Sequence, residues 1–126
     1  VYYTIHNMVG NAFGSYVRER REARRAGDPA FSLRRLAARI GVEPSYLSKV
    51  ERGETPPPSE EKIRLLAEAL GEDPDLLLAL AGKVSSDLQE IIRRRPRLFA
   101  SLIRRLAGAE DEAVEGLVRR VRDGKW

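Results

Sequence analysis

The chain has 126 residues, 42% of them hydrophobic and 33% charged, which suits one domain with a modest core plus an appendage. It has no Cys, which excludes disulfides and Cys-ligated zinc, and no apolar run approaches the ~20 residues that span a bilayer. The net charge of +4 is uneven: residues 18–52 carry a net of +5, residues 53–82 −5, residues 83–109 +5 and residues 110–126 −1. Such blocks suit a basic face for a polyanion with acidic material held away from it, although solvated helix faces give the same pattern.

The opening residues, Val1 to Asn7, lack the basic-then-apolar layout of a signal peptide. Met8 is a candidate initiator, and residues 1–10 are expected to be a disordered leader. The absence of Cys fits a reducing compartment, so a cytoplasmic location is expected. From Asn11 to about Arg25 a first helix carries Phe13 and Val17 on one side and ends near Gly27, Asp28 and Pro29. Ser32 is placed to cap a second helix, in which Leu33, Leu36, Ala37 and Ile40 recur at the spacing of one buried face. Gly41 stops it. Pro44 sits where a first helical turn tolerates proline, Leu47 and Val50 form the inner side of a third helix, and Gly53 ends that helix.

The run Thr55, Pro56, Pro57, Pro58 reads as a stiff extended connector. Ser59 caps a fourth helix with Glu60 and Glu61 in its first turn and Ile63, Leu66, Ala67 and Leu70 as its stripe. A short fifth helix opens at Asp73 and Pro74 and is expected to bury Leu76, Leu77 and Leu80. Beyond Gly82 the pattern starts afresh. Ser86 and Gln89 have capping-box spacing before Leu88, Ile91 and Ile92. Pro96 opens a seventh helix with Leu98, Phe99, Leu102, Ile103 and Leu106, and an eighth follows with Val114, Leu117, Val118 and Val121. No strand alternation survives, so the class is all-α.

Two short helices around Gly41 have the requirements of a helix-turn-helix: small Ala37 at the crossing, glycine in the turn, and inward anchors at Leu36, Ile40, Val42, Leu47 and Val50. In that motif the second helix lies in a DNA major groove. Residues 32–53, SLRRLAARIGVEPSYLSKVERG, with Pro56 and LAEAL at 66–70, resemble the Cro/phage-repressor (XRE-type) helix-turn-helix family. The resemblance runs to about Gly82. It implies a five-helix lambda-repressor-like DNA-binding domain over residues 11–82, followed by a three-helix extension over residues 83–126. The chain departs from the family in its longer link at residues 27–30, and in Glu43, where a Ser or Thr often precedes the recognition helix.

The resemblance further implies that Pro44, Ser45, Tyr46 and Lys49 read bases in double-stranded DNA. Lys49 can donate to guanine O6 or N7, and Pro44 or Tyr46 can touch a thymine methyl. Tyr46 has an equal alternative in packing against the second helix. Ser32, Arg34 and Arg35 are expected to hold a phosphate at the start of the second helix, and Arg52 and Thr55 the next one. Arg21 and Glu51 match positions that pair in this family and are expected to be a structural ion pair rather than DNA contacts.

The extension is expected to form a homodimer through Leu98, Phe99, Leu102, Ile103, Leu106, Leu117, Val118 and Val121. Packing on the same chain, or holding a protein partner as an antitoxin or adaptor would, are the alternatives. Repression by occluding a promoter is the expected mode. No cofactor, metal, membrane or enzymatic role is expected. His6 is the single His, there is no phosphate-cradling Gly loop, and acidic pairs such as Glu60 and Glu61 sit where helix starts explain them.

Overall fold

The computed structural model describes residues 11–125. The leader expected over residues 1–10, with His6, lies outside the described residues. Among those described there are eight α-helices, one 3-10 turn and no strand, so the all-α expectation holds. By backbone contacts the chain divides into two compact units, residues up to Ser85 and residues from Ser86 onward.

In the first unit, α1 (Ala12–Arg25) leads through a 3-10 turn (Pro29–Phe31) into α2 (Leu33–Ile40), α3 (Pro44–Glu51), α4 (Glu60–Leu70) and α5 (Pro74–Leu80). Local chemistry sets most of these ends. The Ser32 hydroxyl accepts from the Arg35 N–H at 3.2 Å, and the Ser59 hydroxyl accepts from Lys62 N–H at 3.4 Å. Gly41 ends α2 with φ +77°, a left-handed conformation that side chains rarely adopt. Lys62 adds a cap from outside the helix: its ammonium donates to the Ile40 carbonyl at 2.9 Å.

The core is one cluster drawn from all five helices and the turn, centred on Val17, Leu36, Leu47, Ile63, Leu66, Leu70 and Leu77. The stripe expected on α2 is buried at Leu36, Ala37 and Ile40. On α5 the expectation fails in part: Leu77 and Leu78 are buried, Leu80 packs at the edge, and Leu76 is 40% exposed. Three consecutive leucines in a seven-residue helix carry no period of their own. The link before α2 is also more ordered than its composition suggests. The Asp28 carboxylate accepts from the Ala30 N–H at 2.9 Å, and Phe31 is buried. Lys83 ties the end of this unit to the proline connector, donating to the Pro58 carbonyl at 2.8 Å.

The second unit contains α6 (Ser86–Arg94), α7 (Pro96–Leu106) and α8 (Asp111–Arg122). Ser86 is the first residue of α6 rather than the cap before it. None of these helices has a buried residue.

Candidate nucleic-acid interface

The inner face of α3 is committed to the core, which leaves its outer face for a partner. Leu47, Val50 and Glu51 are buried, and α3 packs on both α1 and α2. Against α1 the approach is close. Gly14 has no room for a methyl, which would run into the Val50 carbonyl oxygen and lie 2.8 Å from that of Glu51.

Beside this crossing lies a buried ion pair. Arg21 Nε donates to Glu51 Oε2 at 2.7 Å and Nη2 to Oε1 at 3.0 Å, a bidentate fork. Arg21 Nη1 also donates to the Phe31 carbonyl at 3.3 Å, so one guanidinium joins α1, α3 and the 3-10 turn. The two side chains are only 5% and 4% exposed. The hydrogen bond to Glu51 outweighs burial and holds the Arg21 guanidinium above its ordinary range.

Of the residues expected to read bases, Ser45 and Lys49 are exposed one turn apart on α3. Pro44 and Tyr46 are half-buried, and Tyr46 packs against the edge of the core. Glu43, the residue before α3, makes no side-chain capping bond. The first N–H groups of α3 therefore have no cap of the kind that Ser32 and Ser59 supply to α2 and α4.

At the start of α2, Arg34 and Arg35 are exposed. The Ser32 oxygen is occupied as a cap acceptor, which leaves its hydroxyl hydrogen free to donate outward. Arg52 is exposed but engaged: it donates to Ser48 Oγ and, at 2.8 Å, to Glu54 Oε2. That contact holds the Glu54 carboxyl below its ordinary range, first through the hydrogen bond and then through charge. Thr55 is half-buried, and its hydroxyl is enclosed with no hydrogen-bond partner among the described residues, so it does not face outward as a phosphate contact requires.

Sequence reasoning missed a second brace. Glu72, between α4 and α5, accepts from Tyr16 Oη at 3.0 Å and from Arg20 Nε at 2.6 Å. The bond to Glu72 raises the Tyr16 pKa above its ordinary value. The partners lie 52 and 56 residues apart, so no local pattern announces them. Gly14 was equally hidden, since a glycine in a helix is read only as a weak point.

The residues expected to dimerise are mostly uncovered. Leu98 is 69% exposed, Leu102 43%, Ile103 54%, Val118 59% and Val121 56%, while Phe99, Leu106 and Leu117 are half-buried.

A family model described as a helix-turn-helix domain matches residues 12–80, just over half of the chain. The chain belongs to this helix-turn-helix domain family. The two helices joined by the turn at Gly41 are α2 and α3, and both lie within the matched residues. Family membership thus supports a DNA-binding regulator, with DNA as its partner. No curated protein and no solved structure matches the chain. No helix among the described residues is long and apolar enough to cross a membrane, and no group of three or more His, Cys, Asp or Glu there could hold a metal ion.

Proposed function

We propose that this helix-turn-helix protein is a sequence-specific transcriptional repressor of the Cro/phage-repressor type, which inserts α3 into the major groove and occludes a promoter. The observation that carries the proposal is the division of α3: an inner face locked to α1 by Gly14 and the Arg21–Glu51 fork, and an outer face presenting Ser45 and Lys49. Ser45 and Lys49 contact base edges, with Pro44 and Tyr46 shaping the edge of that face. Ser32, Arg34, Arg35 and Arg52 hold the backbone. Arg21 and Glu51 serve as scaffold.

So small a reading face specifies few base pairs, and two copies reading two half-sites are the usual remedy. The uncovered Leu98, Leu102, Ile103, Val118 and Val121 favour a homodimer formed through residues 83–126. They equally favour a second reading, an antitoxin or adaptor whose tail binds a protein partner. Selection of bound sites from random duplex DNA tests the whole reading. A recovered site with two half-sites is expected, and recovery of no preferred sequence would refute sequence-specific binding. Light scattering of the full chain beside Leu102→Asp decides the dimer, which fails if both are monomers.

A further inference from the structure

A groove of about 260 Å³ opens on the flank of α3, beside the reading face and not part of it. Its floor is the neutralised Arg21–Glu51 pair. One wall is α1, where Arg18 and Arg25 stand one turn before and one turn after Arg21 on the same helical face. The other wall is Ser48 and Arg52 of α3 and its C-cap, and Leu33 at the start of α2 closes one side.

Three guanidinium groups therefore surround a space whose only acidic lining residue, Glu51, is consumed by Arg21. Arg18 is exposed and has no ion pair among the described residues. Arg25 has only a loose one, 3.9 Å from Glu22. Ser48 accepts from Arg52, which leaves the Ser48 hydroxyl hydrogen available to an anion. At roughly 30 Å³ per water the groove has room for several waters, and so for one phosphate group.

The position matters as much as the charge. Ser48 and Arg52 each lie three residues beyond Ser45 and Lys49, so the groove wall adjoins the reading strip along α3. Leu33 adjoins Ser32 and Arg34 at the start of α2. The groove thus adjoins both places already assigned to phosphates, and Arg52 on its wall belongs to one of them. We propose that the groove seats one further DNA backbone phosphate, shared by Arg18 and Arg25, with the Ser48 hydroxyl as a neutral donor. Arg18 and Arg25 then belong to the DNA-binding surface and give α1 a direct part in it. This rests on the DNA-binding reading of α3 and adds a contact to it.

The test is the salt dependence of duplex binding by the full chain, carrying Arg18→Gln and Arg25→Gln together. Each phosphate contact contributes about 0.9 to the slope of log affinity against log salt. The double variant should lose about one unit of slope, while its preference for the selected site over random DNA stays unchanged. Arg64→Gln, which removes one positive charge from α4, should leave the slope as it was. An unchanged slope in the double variant overturns the seat, and so does an equal fall in Arg64→Gln, which would mean charge alone. A fall of two units means two separate phosphates and overturns the shared seat. Inorganic phosphate that displaces DNA beyond ionic-strength-matched chloride, and only when Arg18 and Arg25 are intact, supports the seat, because the free anion then competes with DNA for the same donors. If the unaltered chain fails to bind duplex DNA, the DNA-binding reading itself is lost, a result separable from all of these.

Discussion

Gly14 on α1 faces the carbonyl oxygen of Val50 on α3, at a separation that leaves no space for a side chain. The contact lets two helices meet backbone to backbone, directly behind the face that carries Ser45 and Lys49. Gly14→Ala should therefore destabilise the domain by about 1–3 kcal/mol through overpacking. At an open helical position the same change would stabilise by up to about 1 kcal/mol. The two expectations differ in sign, so a thermal melt of the variant decides between them.

Arg21 and Glu51 offer a graded comparison. Breaking this buried fork with Glu51→Ala should cost about 3–5 kcal/mol, because Arg21 is left charged and enclosed. Loss of the exposed Arg52–Glu54 pair through Glu54→Ala should cost far less, because water screens both charges. Replacing both buried partners, Arg21→Met with Glu51→Leu, should recover much of the loss. Urea unfolding of the three variants tests the order, and a Glu51→Ala cost as small as that of Glu54→Ala would contradict it.

Tyr16 gives the first unit an alkaline limit. Its hydroxyl donates to Glu72, and the folded pKa is raised above the unfolded value near about 10. The neutral form is the one that folding favours. Its contribution is fully present below the unfolded pKa and is lost as pH rises through the folded one. Melting temperature measured from pH 8 to 11 should fall more steeply for the unaltered chain than for Tyr16→Phe. Parallel curves would mean that the bond contributes nothing.

Glu43 leaves α3 without a side-chain cap. Glu43→Ser should stabilise the domain by about 0.5–2 kcal/mol and remove a negative charge beside the DNA backbone. Tighter binding to every sequence is expected, with no change in preference. Gel-shift titrations on the selected site and on random DNA check this, and weaker binding would show that Glu43 is itself a contact.

Lys49 and Arg35 separate reading from holding. Lys49→Ala should weaken binding to the preferred site more than to random duplex, by about 1–3 kcal/mol of discrimination. Arg35→Ala should weaken both alike and reduce the salt slope by about one. Equal losses for both variants on both DNAs would end this division of labour.

The parts of the fold legible in the sequence are those set within one or two turns of helix. Ser32 and Ser59 cap where their spacing says, Gly41 turns left-handed where the stripe of α2 stops, and Leu36, Ala37 and Ile40 go inward together. What stayed hidden depends on distant partners or on missing atoms. Lys62 reaches Ile40 across 22 residues and Glu72 reaches α1 across more than 50. Gly14 acts by having no side chain at all. The enclosed Thr55 hydroxyl has no signal in the sequence, because an extended connector carries no periodicity that tells inside from outside. Arg18 and Arg25 have none either, because a run of arginines on one helix looks the same whether it faces water or a groove.

The Glu72 brace also orders events in time. Its two partners on α1 are made first by the ribosome, yet the carboxylate that holds them emerges more than 50 residues later. At about 5–20 residues per second, α1 waits some seconds before that closure is possible. The α2–α3 hairpin needs only neighbours in sequence and closes the shorter loop first. The helix-turn-helix segment is therefore synthesised in full before the Glu72 brace on α1 can close. Translation pauses within residues 53–72 would lengthen the interval in which Arg20 and Tyr16 have no anchor.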